Sequence, residues 1–562
     1  SDPSIGQVPN VFFRVYDREG NESIVTPLGN NDFDFVIQPW NFEQIEAEDK
    51  ERTQRLNYEL SIYYNRIFAE KHNFSALFLF KREKFTEDDN PLDDDDLHIY
   101  GGFPSFREDW VGRLTYDYDT RYFIDINGAY NGSEKFGPGY RFDLFPSAAL
   151  GWMISNESFM SNMVWLDKLK VRGSYGLVGN DKFYNEDGSP RRFKYITQWG
   201  VGGRAYLVPS QFNGLSPYEW YSEASVGNSD IHWETSRKTN IGVEFTIFRN
   251  IFSAEFDYFL EDRDNIMIYG VDRSVPTFYG IEPPDFNAGE VKVKGYELVL
   301  GFNYRFSNSL TVHTDYAITV AKDKVIYAED PEFTPDYQKK AGYPIDQPTS
   351  AIPGDIIQSW DDIYMATPLA SGQAMRRIGY YDLVDFNIDG LYDGAYDNAP
   401  FGYPTRPQKT WSLTAGLGYK GLNFMILFYG TQNAHRVYNT SAFTGQEYLF
   451  YEHRLGYWSK DNPESTTTLD PWSNTQAAND PNRNWYDASL VRLKTIEISY
   501  DIPSKICEKM KIGGLRIFVN GNNLYLWSDM PDDREYNTRT GTDYRGDYPT
   551  MKRFNCGINL NF

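Results

Sequence analysis

No stretch of about 18 consecutive apolar residues occurs in this chain, so it offers no transmembrane helix. Low hydropathy does not exclude a membrane, because a strand that alternates apolar and polar residues carries a weak signal per segment. Cysteine is nearly absent. Cys507 and Cys556 have neither metal-site spacing nor a disulfide framework. Basic residues are outnumbered, with 55 Lys and Arg against 79 Asp and Glu and a formal net charge of −24. Nucleic acid is thereby disfavoured as a partner, since phosphate binding needs a basic face. G-x-S-x-G, H-E-x-x-H and Cys–His sets are also missing, so nothing points to an enzyme. Carboxylates are so abundant that a pair at glycosidase spacing carries no weight.

What is plentiful is aromatic. Tyr, Phe and Trp make up 17% of the 562 residues, a richness that suits the aromatic girdles of an outer-membrane barrel. The closing stretch Met551-Lys-Arg-Phe-Asn-Cys-Gly-Ile-Asn-Leu-Asn-Phe562 shows the dominant pattern. Phe554, Cys556, Ile558, Leu560 and Phe562 share one face, and Arg553, Asn555, Gly557, Asn559 and Asn561 the other. The same period recurs along the chain. Tyr296, Leu298, Leu300, Phe302 and Tyr304 oppose Glu297, Asn303 and Arg305; Phe252, Ala254, Phe256 and Tyr258 oppose Ser253, Glu255 and Asp257. With few core-forming helices to cover the apolar faces, the fold expected is all-β. It is a transmembrane antiparallel β-barrel whose apolar face meets lipid and whose polar face lines a lumen.

The strands come as hairpins, from a weak first strand at Val11–Tyr16 to the last at 551–562, about sixteen in all, an even number as bacterial barrels require. Tight turns at Asp119-Thr120, Arg249-Asn250, Ser307-Asn308 and Lys420-Gly421 alternate with connections of roughly 25 to 90 residues. Short turns on the periplasmic side and long loops outside are the asymmetry of outer-membrane barrels. An extra hairpin above the membrane is expected before residue 235. The period alone leaves open an intact sixteen-stranded porin.

Gly173-Ser-Tyr-Gly-Leu-Val-Gly-Asn180, Trp233-Glu-Thr-Ser-Arg-Lys-Thr-Asn-Ile-Gly242 and Val491-Arg-Leu-Lys-Thr-Ile-Glu-Ile-Ser-Tyr-Asp-Ile-Pro503 resemble segments of the SusC family. So do Leu515-Arg-Ile-Phe-Val-Asn-Gly-Asn-Asn-Leu524 and the stretch from Tyr548-Pro to Phe562. The family comprises TonB-dependent transporters of the Bacteroidetes outer membrane. The resemblance implies a 22-stranded barrel filled by an N-terminal plug. On that reading residues 1–562 are the barrel portion with long extracellular loops, and the plug and first strands belong to roughly 300 to 450 further residues upstream. It also implies active import of oligosaccharides, a SusD-like surface lipoprotein as lid, and energy delivered by TonB through the missing N-terminal part. Phe562 would be read by the barrel-assembly machinery. Peptide import by the same family and a passive porin are the alternatives. A surface adhesin and a barrel enzyme are the rivals from other classes.

The candidate ligand site is Asp385-Phe-Asn-Ile-Asp-Gly-Leu-Tyr-Asp393. Asp385, Asn387, Asp389 and Gly390 fit the opening of a calcium loop, in which oxygen ligands at alternate positions converge where glycine permits a sharp turn. Leu391 would offer its carbonyl, and Asp393 a carboxylate or a bound water. Tyr396 stands where the usual Glu belongs, with Asp397 one residue beyond. A structural Ca2+ pinning the loop is the sharp expectation and a solvated acidic loop the bland one; no organic cofactor is implied. Gly416-Leu-Gly-Tyr-Lys-Gly421 matches G-x-G-x-x-G, but lies in a hairpin instead of between a strand and a helix. Glu87–Asp96 reads as a solvated acidic tip, with cation binding at a lipopolysaccharide surface as the alternative. His313 falls on the polar face beside Asp315. Trp199, Trp220, Tyr221 and Trp360 are loop aromatics able to stack on sugars.

Overall fold

The computed structural model describes residues 7–9, 14–16, 22–24, 37–39, 52–88, 103–184, 191–204, 219–306, 309–371, 376–437, 456–465, 485–530 and 550–561. Fifteen strands form one antiparallel sheet in which each strand pairs with its neighbours in sequence. They are β1 (Arg52–Phe68), β2 (His72–Asp88), β3 (Ser105–Tyr118), β4 (Tyr122–Ser133), β5 (Phe142–Met153), β6 (Leu166–Asn180), β7 (Glu234–Ile247) and β8 (Phe252–Ile268). There follow β9 (Phe286–Arg305), β10 (Leu310–Tyr327), β11 (Lys409–Tyr419), β12 (Leu422–Gln432), β13 (Leu490–Asp501), β14 (Gly514–Ser528) and β15 (Arg553–Asn561). The sheet is not closed: β1 and β15 are its two edges. The expected sixteenth strand does not join it. Arg14–Tyr16 pairs instead with Glu22–Ile24 as a separate two-stranded ladder, because a short neighbour in sequence satisfies its backbone locally. Two compact units are distinguished by their contacts, residues 1–59 with 81–108 and residues 60–80 with 109–562.

Turn chemistry sets the register. The tight turns place non-glycine residues at positive φ, with Asp119 at 53° and Thr120 at 54°, and Arg249 at 59° and Asn250 at 61°. Two successive positive values give the turn twist that matches paired strands. Lys420 at 49° and Gly421 at 91° do the same between β11 and β12. The opposite ends carry the long connections, above all 181–233, 328–408 and 433–489. Their lengths depart from expectation at three places, where 89–104, 134–141 and 269–285 are shorter. On the tight side, 154–165 and 502–513 hold 3₁₀ turns and the helix Ser504–Lys509. The expected hairpin in the 181–233 connection is present: Gln198–Arg204 pairs with Glu219–Ser225.

Because directly paired residues point to the same face, the register carries one surface across many strands. Tyr122, Trp152, Val171, Val243, Phe256, Leu298, Ile318 and Trp411 stand in one row from β4 to β11. None of the eight is buried. Phe256 is 43% exposed, Ile241 56% and Phe554 75%. The neighbouring row on the other face runs Arg172, Gly242, Asp257, Glu297, Thr319, Thr410 and Thr431. A large sheet that leaves its aromatic face uncovered while tying its polar face together is built for lipid on the first. Among the described residues no helix is long and apolar enough to cross a membrane, which says nothing of strands.

Candidate functional site

On the polar face the charges are knitted across strands. Arg172 on β6 reaches over β7 to Asp257 on β8, 2.6 Å away, and also bridges Glu244 at 3.2 Å and Glu255. The reach is possible because the intervening residue is Gly242. A Cβ there would lie 2.4 Å from Asp257 Oδ1 and 2.9 Å from Arg172 Nε. Lys168 adds a 2.6 Å bridge to Glu244. Farther along, Arg113 meets Asp125, and Arg516 donates to both Glu497 and Ser499. The polar face is thus a wall of bridged ions and amides, suited to water and polar cargo.

His313 is placed by Gly416. The two pair across β10 and β11, and a Cβ on residue 416 would fall 1.9 Å from the imidazole. Gly418 opens the same kind of notch for Thr311, whose hydroxyl donates to the Gly418 carbonyl. Gly416-Leu-Gly-Tyr-Lys-Gly421 therefore serves strand packing and a hairpin, as its setting between two strands requires. Cys556 lies opposite Val519 on β14, exposed on the apolar face, and Cys507 is buried.

At the long-connection ends of the strands, a small core joins strand ends to connections. Phe136, Phe145, Phe183, Ile231, Trp233 and Met267 are all buried in it. Arg191 bridges Asp285 and lies over the Tyr269 ring; Arg192 bridges Glu134. Burial holds the Glu134 carboxyl above its usual range, with Arg192 pulling the other way. Sequence reasoning missed this core. Its signal was Trp233 at the head of the segment Trp233–Gly242, but its partners come from four distant stretches. Trp199, Trp220, Tyr221 and Trp360 are exposed at 62%, 48%, 61% and 71%, open to solvent as a stacking role needs.

The 328–408 connection contains the acidic loop. Asp385 accepts from the Asp389 and Gly390 N–H groups at 3.2 and 2.7 Å, and Asn387 Oδ1 accepts from Asp389 N–H at 2.9 Å. Asp389 accepts from Leu391 N–H and from the Asn387 amide, so these three side chains curl over one turn closed by Gly390 at φ 97°. Asp393 caps the short helix Gly394–Asp397. Asp397 plays another part. Fully buried, its carboxylate accepts from the Phe386, Asn387 and Asp393 N–H groups and ties the loop ends together. Oxygen donors alone fit a hard cation. Among the described residues, no group of three or more His, Cys, Asp or Glu side chains is spaced to hold a metal. A cation here would thus depend on the Asn387 oxygen and backbone carbonyls as well as on carboxylates. The same connection walls a cavity of about 610 Å³ whose lining includes Asp355, Ile357, Met365, Tyr381, Asp382 and Glu464. Of the acidic tip Glu87–Asp96, Glu87 and Asp88 end β2 and the rest lies outside the described residues, as does the terminal Phe562.

Similarity to known proteins now bears on these features. No family model matches the chain. TonB-dependent receptor P3 of Formosa agariphila is 25% identical over 476 residues, 80% of this chain and 45% of that protein. TonB-dependent receptor SusC of Bacteroides thetaiotaomicron is 22% identical over 472 residues, 81% of this chain and 43% of that protein. The chain spans about half the length of the curated relatives it matches. Among solved structures, the RagAB peptide transporter superposes with a TM-score of 0.64 at 21% identity, covering 91% of this chain and 56% of that one. The "open-open" state of the RagAB peptide importer gives 0.65 at 20% identity, with the same coverage. These relatives are named as receptors and transporters, not enzymes. The continuous apolar and polar rows, and the sequence similarity over four-fifths of the chain, make it a relative of the SusC-type TonB-dependent receptors, with the strand architecture of their barrels.

Proposed function

We propose that this chain is the barrel part of an outer-membrane importer that takes up oligosaccharides using energy delivered through TonB. What supports the reading is the similarity to SusC and to receptor P3, joined to an apolar face that no part of the described protein covers. The sheet is the fixed wall; cargo passes along the face that carries Arg172, Glu244 and Asp257. A SusD-like lipoprotein docks on the long connections and closes over the cargo, with Trp199, Trp220, Tyr221 and Trp360 as stacking surfaces. A structural calcium ion is held by Asp385, Asn387, Asp389 and the Leu391 carbonyl, with Asp393 nearby and Asp397 bracing the loop, so that it orders the loop without taking part in transport.

Peptide is the second cargo, favoured by the structural likeness to the RagAB peptide transporter and importer. Uptake of fluorescent oligosaccharides and peptides by cells with and without TonB tests the scheme. Uptake of oligosaccharide that stops without TonB is expected. Uptake that continues unchanged points to a passive pore, and peptide-only uptake reassigns the cargo.

A further inference from the structure

The apolar face bears a charge arrangement that transport does not use. Lys292 and Lys294 on β9 stand directly opposite Lys324 and Lys322 on β10. All four are exposed. They continue the apolar rows: Lys294 lies two residues from Tyr296, Lys322 two residues from Val320, and Tyr296 pairs with Val320. By the two-residue period all four share the Tyr296 face. Like charges directly opposite each other destabilise a sheet, and here two such rungs are close together. Lys292 has one carboxylate partner, Asp262 at 3.6 Å, and both are largely exposed. Lys294, Lys322 and Lys324 make no ion pair among the described residues. Of the other nearby acids, Glu290, exposed two residues before Lys292, makes no ion pair among the described residues, and three are engaged elsewhere. Asp264 is bridged by Arg237, Glu261 holds Ser236, Lys238 and Arg263, and Asp323 accepts from the Ile345 N–H. Four clustered lysines with a single ion pair among the described residues, to Asp262, stand out in a chain of net charge −24.

Their depth matters as much as their charge. β9 and β10 are joined through 306–309 at one end and lead at the other to 269–285 and 328–408, and the lysines lie toward that second end, the side of the long connections. At about 3.3 Å per residue, they stand roughly 7 to 13 Å beyond Tyr296 and the exposed Tyr258, Lys294 level with Leu260 and Lys292 two residues farther. A belt of rings followed by a cluster of ammonium groups matches acyl chains followed by headgroups.

We propose that Lys292, Lys294, Lys322 and Lys324 bind the phosphate groups of lipids in the outer leaflet. The assignment rests on the reading of this face as lipid-facing and of the long connections as external. Phosphate oxygens between the paired ammonium groups relieve both like-charge rungs, and the acyl chains of the same lipid lie against Leu260, Tyr258 and Tyr296.

The test reconstitutes the full protein into phosphatidylcholine vesicles containing a minor fraction of phosphatidic acid, and reads the retained lipids by native mass spectrometry. Enrichment of phosphatidic acid that falls as salt rises is expected. The variant Lys292→Gln/Lys294→Gln/Lys322→Gln/Lys324→Gln should reduce it by about tenfold or more, since each lysine near an anionic surface contributes about fivefold. Lys238→Gln, on the opposite face, should leave it unchanged. Excess inorganic phosphate should not displace the lipid, because the free ion lacks acyl chains. Equal enrichment in the protein and its fourfold variant, or displacement by inorganic phosphate, overturns the proposal. The variant removes repulsion, so its folding is not endangered. Quenching of tryptophan fluorescence by brominated acyl chains reports the lipid-facing wall separately. Quenching without enrichment sinks the lysine site alone, whereas absence of quenching sinks the wall on which it rests.

Discussion

Arg172 and Asp257 belong to strands that do not touch, and they meet because residue 242 between them has no side chain. Asp257 is 6% exposed, so its carboxylate depends on that guanidinium. Gly242→Val forces the pair apart and leaves a buried charge without its partner, at a cost of about 3 kcal/mol. Urea unfolding in lipid vesicles measures this, and in the background of Asp257→Ala the same substitution should cost clearly less, because the two residues act through one contact. An undiminished cost in that background rejects the account. The sequence already placed Gly242, Glu244, Glu255 and Asp257 on the polar face. It could not show that Arg172 joins them, because that contact depends on the register of three strands, and register is set by turn geometry and the partners' patterns together. His313 illustrates the same limit. Its face was legible, while its seat over Gly416 needed the pairing of β10 with β11.

The strands of the sheet were legible as elements because apolar and polar residues alternate along them; apart from the hairpin before residue 235 and the acidic loop, the long connections were not, since nothing periodic governs them. The helix Trp360–Met365 is an instance. Its Ser359 cap accepts from the Asp362 N–H, and Asp362 accepts from the Ser359 and Gln358 N–H groups. These hydrogen bonds from Gln358 and Ser359 hold the Asp362 carboxyl below the ordinary aspartate value. The order they confer is therefore complete above that ordinary value and lost as pH falls through the lower folded one. Amide exchange in 358–366 should stay slow from neutral pH into the mildly acidic range and quicken at lower pH, once corrected for the intrinsic rate. Ser359→Ala should weaken the turn by about 1 kcal/mol at neutral pH. The acidic loop behaves differently. Calcium added to the chelated protein should protect 385–393 from proteolysis, and Asp389→Ala should abolish the protection. Asp397→Ala should loosen the loop with or without the ion, because three N–H groups lose their shared acceptor. Protection that persists in Asp389→Ala removes the metal from the loop.

At the scale of the whole sheet, what matters is which solvent meets which face. Leu300 lies midway along the apolar run Tyr296–Tyr304 and is paired with Ala254 and Tyr316; Tyr304, beside the tight turn, is paired with Val312. In a soluble protein both are half-exposed surface positions, and arginine at either would cost little. In a bilayer the cost depends on depth. Leu300→Arg should lose about 2–4 kcal/mol, and Tyr304→Arg, near the interface, about 0–1 kcal/mol in the charge term. The comparison is made by urea unfolding in vesicles, with Leu300→Ala and Tyr304→Ala subtracting lost packing. In detergent micelles, which deform around a charge more readily, the gap should narrow. Equal costs at the two depths would mean that the row from Tyr122 to Trp411 faces something other than acyl chains. The outer wall, the orientation of the long connections and the lysine site above the belt would then all need another explanation.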